Sequence, residues 1–221
     1  MPIIFSWFAG NNASGPARQR RINPIIVFEI SKIRRSFSMD IAPLSPVHAP
    51  TASATGTLKM LVRYKAWANG LTFRSVMELP EGEALRQRPT QFGNMVHTLN
   101  HVYVVDDIFR HHLQGKKHSY TARNTDHTPA IGELWEAVQE MDRWYVDMVD
   151  TWSDGDLAKA VHFEFVGGGE GVMTRAQIVL HIVNHGAYHR GFVGDMMYQV
   201  PFTPPSNDLP VFIRDHYRGV Y

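Results

Sequence analysis

The segment "HIVNHGAYHRG" sets His181, His185 and His189 four residues apart, and "VHTLNH" repeats that spacing with His97 and His101. On a helix, a step of four stacks side chains on one face, so each pair offers two imidazoles to a common point. Random placement of 12 histidines in 221 residues gives roughly 0.7 such pairs. Three are present: 97/101, 181/185 and 185/189. The chain has no cysteine. Thiolate ligands, disulfides and a cysteine nucleophile are therefore excluded, and a transition metal would depend on imidazole and carboxylate.

The elements that carry these residues have a helical period. The first runs through "TLKMLVRYKAWANGLTFRSVMEL", with Leu61, Tyr64, Ala68 and Leu71 as its apolar stripe. The second, "FGNMVHTLNHVYVVDDIFRHHLQG", repeats the pattern at Met95, Leu99, Val102, Phe109 and Leu113. The third is "AIGELWEAVQEMDRWYVDMVDTW". The fourth opens on a capping box, Thr174-x-x-Gln177, and continues through Ile178, Ile182, His185, His189, Phe192 and Met196 to Pro201. Between the third and fourth, "VHFEFVGGGEGVMT" alternates Val161, Phe163 and Phe165 before a glycine cluster, the pattern of a short hairpin. The fold class is all-α: a four-helix bundle with a crossover connection between the second and third helices and a small β-hairpin before the last helix. Trp67, Trp135 and Trp152 fall at helical spacing and read as core.

The fourth helix carries His185 and His189 on its apolar stripe. Burying two imidazoles side by side costs free energy unless each finds a partner, and a shared metal supplies both at once. His101 lies one turn from Val105 and can also point inward. Two histidines from one helix and one from a neighbour make a three-ligand site with coordination positions left open. The alternative is hydrogen bonding to backbone or water at the mouth of the bundle, and spacing alone does not choose between the two.

Three segments, "LVRYKAWANGLTFRSV", "FGNMVHTLNHVYVVDDIF" and "VNHGAYHRGFVGDMM", resemble the diagnostic segments of the DinB family, named for DNA-damage-inducible proteins. They occur in the same order across roughly residues 57–215, with the glycine-rich hairpin before the last helix. The resemblance implies a bundle holding one divalent metal (Zn, Ni or Mn) on His101, His185 and His189. In that pattern His97 and His181 have no ligand role. The family includes enzymes that transfer low-molecular-weight thiols.

Between the two ligands of the fourth helix stand Gly186, Ala187 and Tyr188. A metalloprotease helix has a glutamate base there. Hydrolysis would need a base from elsewhere, with Asp106 and Glu164 as candidates. A thiol transfer asks less of the protein, because a metal activates an external thiol. The favoured reading is transfer of a low-molecular-weight thiol to an electrophile. Metal-dependent hydrolysis and a non-catalytic, metal-binding stress-response role are the alternatives. Asp106 either orients a ligand imidazole or fixes its helix, and Asn69 and Arg190 either bind substrate or pin helices. Because free imidazole protonates near pH 6.5, the site is expected to empty below about pH 6.

Residues 1–56 read as an N-terminal extension ahead of a bundle domain over 57–215. Residues 1–38 balance to +5, and the overall +1 leaves −4 for the rest, which argues against a nucleic-acid partner. No apolar run approaches the ~20 residues of a membrane span. A cytoplasmic location is expected, and an apolar helix face leaves a homodimer open. We read residues 1–38 as an upstream extension with Met39 as the start. A chain beginning at Met39 is expected to keep its helical circular dichroism and melting temperature; a large fall in melting temperature would contradict this.

Overall fold

The computed structural model describes residues 53–217. The expectations for the extension before residue 53 lie outside that range. Four long helices form the body: α1 (Ala54–Met77), α2 (Met95–Leu113), α3 (Ile131–Asp150) and α5 (Arg175–Tyr198). A one-turn helix α4 (Asp154–Leu157) and a hairpin of β1 (Ala160–Glu164) and β2 (Glu170–Thr174) precede α5, and a short α6 (Leu209–Asp215) follows it. Helix α1 begins three residues before the periodicity does. The Ser53 side chain caps it by accepting from the Gly56 N–H at 3.0 Å, and the Thr55 hydroxyl bonds to Asp154. The capping box of α5 is present in both directions, with Thr174 and Gln177 each satisfying the other's backbone N–H. Among the described residues no helix is long and apolar enough to cross a membrane.

The core settles the topology. One half gathers Leu58 and Val62 of α1 with Val105 and Phe109 of α2, Met141 to Trp152 after the middle of α3, and Ile178 to Val183 of α5. The other half gathers Phe73 and Val76 with Met95 and Leu99, Leu134 and Val138, and Val193 to Met197. Helices α2 and α3 therefore run in one direction and α1 and α5 in the other. Parallel neighbours need a connection that travels the length of the bundle, and residues 114–130 supply it. This segment returns along α2: Tyr120 bonds Asp107, Arg123 meets His101, and Thr128 meets His97. The crossover is thus laid over the histidines.

The hairpin pairs Ala160 with Thr174 and Phe163 with Gly171. Its turn uses Gly167, Gly168 and Gly169 at φ of 97°, 98° and 95°, a region closed to most side chains. Phe163 is buried in the core, whereas Phe165 lies beyond the strand and is 52% exposed. The α5 stripe also differs at one place, since Phe192 is 38% exposed.

The largest departure concerns α1. Of the expected stripe Ala68 is fully buried, but Leu61, Tyr64 and Leu71 are only partly so, and the buried face continues through Leu58, Val62, Lys65, Asn69, Phe73 and Val76. Lys65 and Asn69 sit where the core would otherwise be apolar. They meet Asp106 of α2, Asp142 of α3 and Arg190 of α5, so all four long helices contribute to one buried polar layer between the two halves of the core. Trp152 is core, as expected. Trp135 and Trp67 are half-buried, Trp135 stacking on Phe73 and Trp67 packing against Phe212 of α6.

Candidate metal centre

The three histidines singled out by spacing come together at the edge of the polar layer. His101 Nε2 lies 3.1 Å from His185 Nε2, and the ring centroids of His101 and His189 are 4.7 Å apart, those of His185 and His189 4.5 Å. Each offers one nitrogen to a group in which all such atoms lie within 4.8 Å of one another. His101 and His189 are buried and His185 is half-buried. Three imidazoles converging on one point, joined by a single contact between His101 Nε2 and His185 Nε2, are a donor set that a divalent cation fits.

Burial keeps the rings neutral. It pushes His185 down to about 2 and His189 to about 4, the neighbouring imidazoles adding to the effect, and it also lowers His101. The lone pairs therefore stay free to lower pH than that of a free imidazole. Proton competition at the folded site should begin lower than the free-imidazole value suggested.

The surroundings fix the rings. His101 Nδ1 donates to the Arg123 carbonyl of the crossover at 2.5 Å, which leaves its Nε2 lone pair facing the cluster. Phe92 stacks on His101 with centroids 4.4 Å apart and stands edge-on to His189 at 5.5 Å. Two features hold Phe92: Gly93 at φ 74°, and Asn94, which caps α2 by accepting from the His97 N–H at 2.8 Å. Tyr188 is 63% exposed and stands edge-on to His189 at 5.0 Å and to Phe192 at 4.8 Å, forming an apolar rim.

The other expected residues go elsewhere. His97 pairs with Thr128 at 3.1 Å and stays out of the cluster. His181 packs against Phe109 and lies beside His185, with centroids 5.5 Å apart, without joining the group. Asp106 gives one oxygen to Lys65 at 2.7 Å, Glu164 is exposed on the hairpin, and neither candidate base belongs to the histidine cluster. Asn69 accepts from Arg190 at 2.9 Å and donates to Asp142 at 2.9 Å; both residues pin helices. A Cβ at Gly186 would stand 3.1 Å from the Arg190 guanidinium and 3.8 Å from Lys65 Cε, so a glutamate there would crowd the buried Arg190.

Sequence reasoning missed Lys65 and Asp142. The signal was present, since Lys65 and Asn69 continue the 4-3-4 spacing of Leu58 and Val62 into the core. Burial pulls Lys65 down, but its two carboxylates outweigh that and leave it raised, while burial lifts Asp106 to about 6 against the pull of Lys65.

Two expected results follow from this geometry. His181→Ala should retain metal at near-stoichiometric level, because a fourth imidazole would occupy a position that substrate needs. Loss comparable to that of His185→Ala, measured by elemental analysis, would show that the ligand set is wrong. The second concerns metal-free protein. His101, His112, His181, His185 and His189 are all lowered, chiefly by burial. Below about pH 6.5 the unfolded chain takes up protons that the folded chain refuses. The stability is thus present above that pH and lost as pH falls toward 4. Asp106 acts oppositely: its contribution is complete below about pH 3.9 and lost as pH rises through about 6. Five imidazoles outweigh one carboxyl, so the melting temperature in chelator should fall steadily from pH 7 to 4. A flat profile would contradict the burial of these rings.

Fold and site together define a four-helix-bundle protein with a three-histidine cluster able to receive a metal ion. The DinB family model matches residues 53–219, and the chain belongs to the DinB family. It is 25% identical to protein DinB of Bacillus subtilis (strain 168) over 158 residues, 69% of this chain and 91% of that protein. A DinB-like protein from Bacillus cereus ATCC 10987, known from its crystal structure, superposes with a TM-score of 0.51 at 16% identity, covering 73% of this chain and 95% of the other; that likeness speaks to the fold alone.

Proposed function

We propose that His101, His185 and His189 hold one divalent metal and that the protein transfers a low-molecular-weight thiol to an electrophilic small molecule. The observation that carries the reading is a cluster made, among the described residues, of imidazoles alone. An all-nitrogen donor set favours zinc or nickel over manganese, which prefers oxygen ligands. A divalent metal held by His101, His185 and His189 would supply a Lewis acid that lowers the pKa of a thiol. The protein's own residues do the rest. The Arg123 carbonyl fixes the orientation of His101, Phe92 covers one side of the cluster, and Tyr188 with Phe192 offers apolar contact to the substrate. The thiol sulfur would bond to the electrophilic carbon as the leaving group departs with its electron pair, and the thiol proton passes to solvent.

The hydrolytic reading lacks support, because Asp106 is committed to Lys65 and Glu164 is on the hairpin surface. The test is turnover of zinc- and nickel-loaded protein with a panel of small thiols and an alkylating electrophile. Metal-dependent thioether formation above the uncatalysed rate supports the proposal. Stoichiometric metal without turnover would favour a non-catalytic metal-binding role.

A further inference from the structure

Hydrogen-bond accounting across the polar layer leaves a specific mismatch. When an imidazole gives Nε2 to a metal, its Nδ1 carries a proton that needs an acceptor. His101 has the Arg123 carbonyl. The Nδ1 atoms of His185 and His189 and the Nη2 of Arg190 are each buried with no hydrogen-bond partner. In the same layer, Asp106 gives Oδ2 to Lys65 at 2.7 Å and leaves Oδ1 buried and unpartnered. Asp142 differs, because both of its oxygens are engaged, by Lys65 at 2.7 Å and by Asn69 at 2.9 Å. Lys65 links the two sides: its ammonium is on Asp106, and its Cε lies 3.8 Å from where a Cβ of Gly186, next to His185, would stand. Asp106 also lies between Val105 and Phe109, in the half of the core that holds Ile182 and Val183, one turn before His185; His189 leads into the other half.

We infer that Asp106 is a positioning residue for the metal centre, its free Oδ1 taking the hydrogen bond of His185 Nδ1–H when Nε2 of that ring holds the metal. The inference rests on the three-histidine reading and extends it inward. The bond requires the two side chains to meet directly or through one bridging water. The arrangement also places a balanced layer behind the metal, with Lys65 and Arg190 offset by Asp106 and Asp142.

Asp106→Asn tests this, with Asp142→Asn as the control. Both remove one negative charge beside Lys65, but only the first removes a free acceptor. In Asp106→Asn the amide oxygen is claimed by the Lys65 ammonium, which turns the NH2 toward a ring that is itself a donor. Zinc affinity is measured by competition with a chromogenic chelator, and the His185 Nδ1 proton by nitrogen-15 NMR of the zinc-loaded protein. Asp106→Asn is expected to weaken zinc binding by about tenfold or more and to shift that proton upfield. Asp142→Asn should change affinity by no more than about a third of that factor, with the proton unmoved. Equal affinity losses in the two variants, or an unshifted proton in Asp106→Asn, would overturn the inference. Should Asp106→Asn fail to fold, the wild-type proton decides: slow exchange with solvent supports the bond, and loss within the first spectrum overturns it. Zinc binding by the wild type is measured first, since its absence would sink the three-histidine reading itself.

Discussion

Replacing Lys65 by methionine is expected to lower the melting temperature by on the order of 10 °C. Methionine fills a similar volume, so packing changes little, but Asp106 and Asp142 lose the cation that both touch at 2.7 Å. The side chain of Lys65 is 1% exposed and those of the two carboxylates 3% and 6%, so water does not replace it. Removing one partner of a buried ion pair typically costs about 3–5 kcal/mol, because the other charge is stranded. For a domain of this size each kcal/mol moves the midpoint by roughly 2–4 °C. One stranded carboxyl can take up a proton, and Asp106 already holds one up to about pH 6, so the loss should be smaller at pH 5 than at pH 8. Thermal melts at the two pH values check both statements. A shift below about 2 °C would mean that Lys65 does not lie in the core.

His185→Ala is expected to abolish the stabilisation that metal gives. A ligand that binds only the folded state adds roughly 2.7 kcal/mol at 100 times its dissociation constant. In the metal-free protein His185 has one side-chain hydrogen-bond contact, to His101 Nε2 at 3.1 Å, while its Nδ1 has no partner and burial makes the ring costly to charge. The variant should therefore melt near or above metal-free wild type, yet show no upward shift when zinc or nickel is added. This separates a ligand from a structural residue, for which the metal-free protein would suffer instead. Melts with and without metal, on stripped protein, give the answer.

How much of this was legible in the sequence differs by residue. The long helices announced themselves through apolar spacing, and the Thr174–Gln177 cap fixed the start of α5 because both of its bonds are local. His185 and His189 were legible for the same reason, lying on an apolar stripe that would not tolerate them unpaired. Lys65 was not, because a lone lysine in an amphipathic helix ordinarily faces water. Its burial depends on Asp106 and Asp142, which lie on two other helices. The α1 stripe was consequently read one shoulder away, on Leu61 and Tyr64. The Arg123 contact was invisible for another reason: it uses a main-chain carbonyl that any residue would supply, placed by the path of the crossover. The one-turn α4 and the seven-residue α6 are too short to show a period.

The most direct test of the central claim is a metal titration of chelator-stripped protein, read by calorimetry and by elemental analysis after gel filtration. Wild type should be compared with His101→Ala, His185→Ala and His189→Ala. We expect one zinc or nickel ion per chain in the wild type and loss of stoichiometric binding in each variant, with all four chains keeping their helical circular dichroism. Equal metal content in wild type and variants, or none in the wild type, would mean that His101, His185 and His189 are ordinary pocket residues and that the proposed chemistry has no centre.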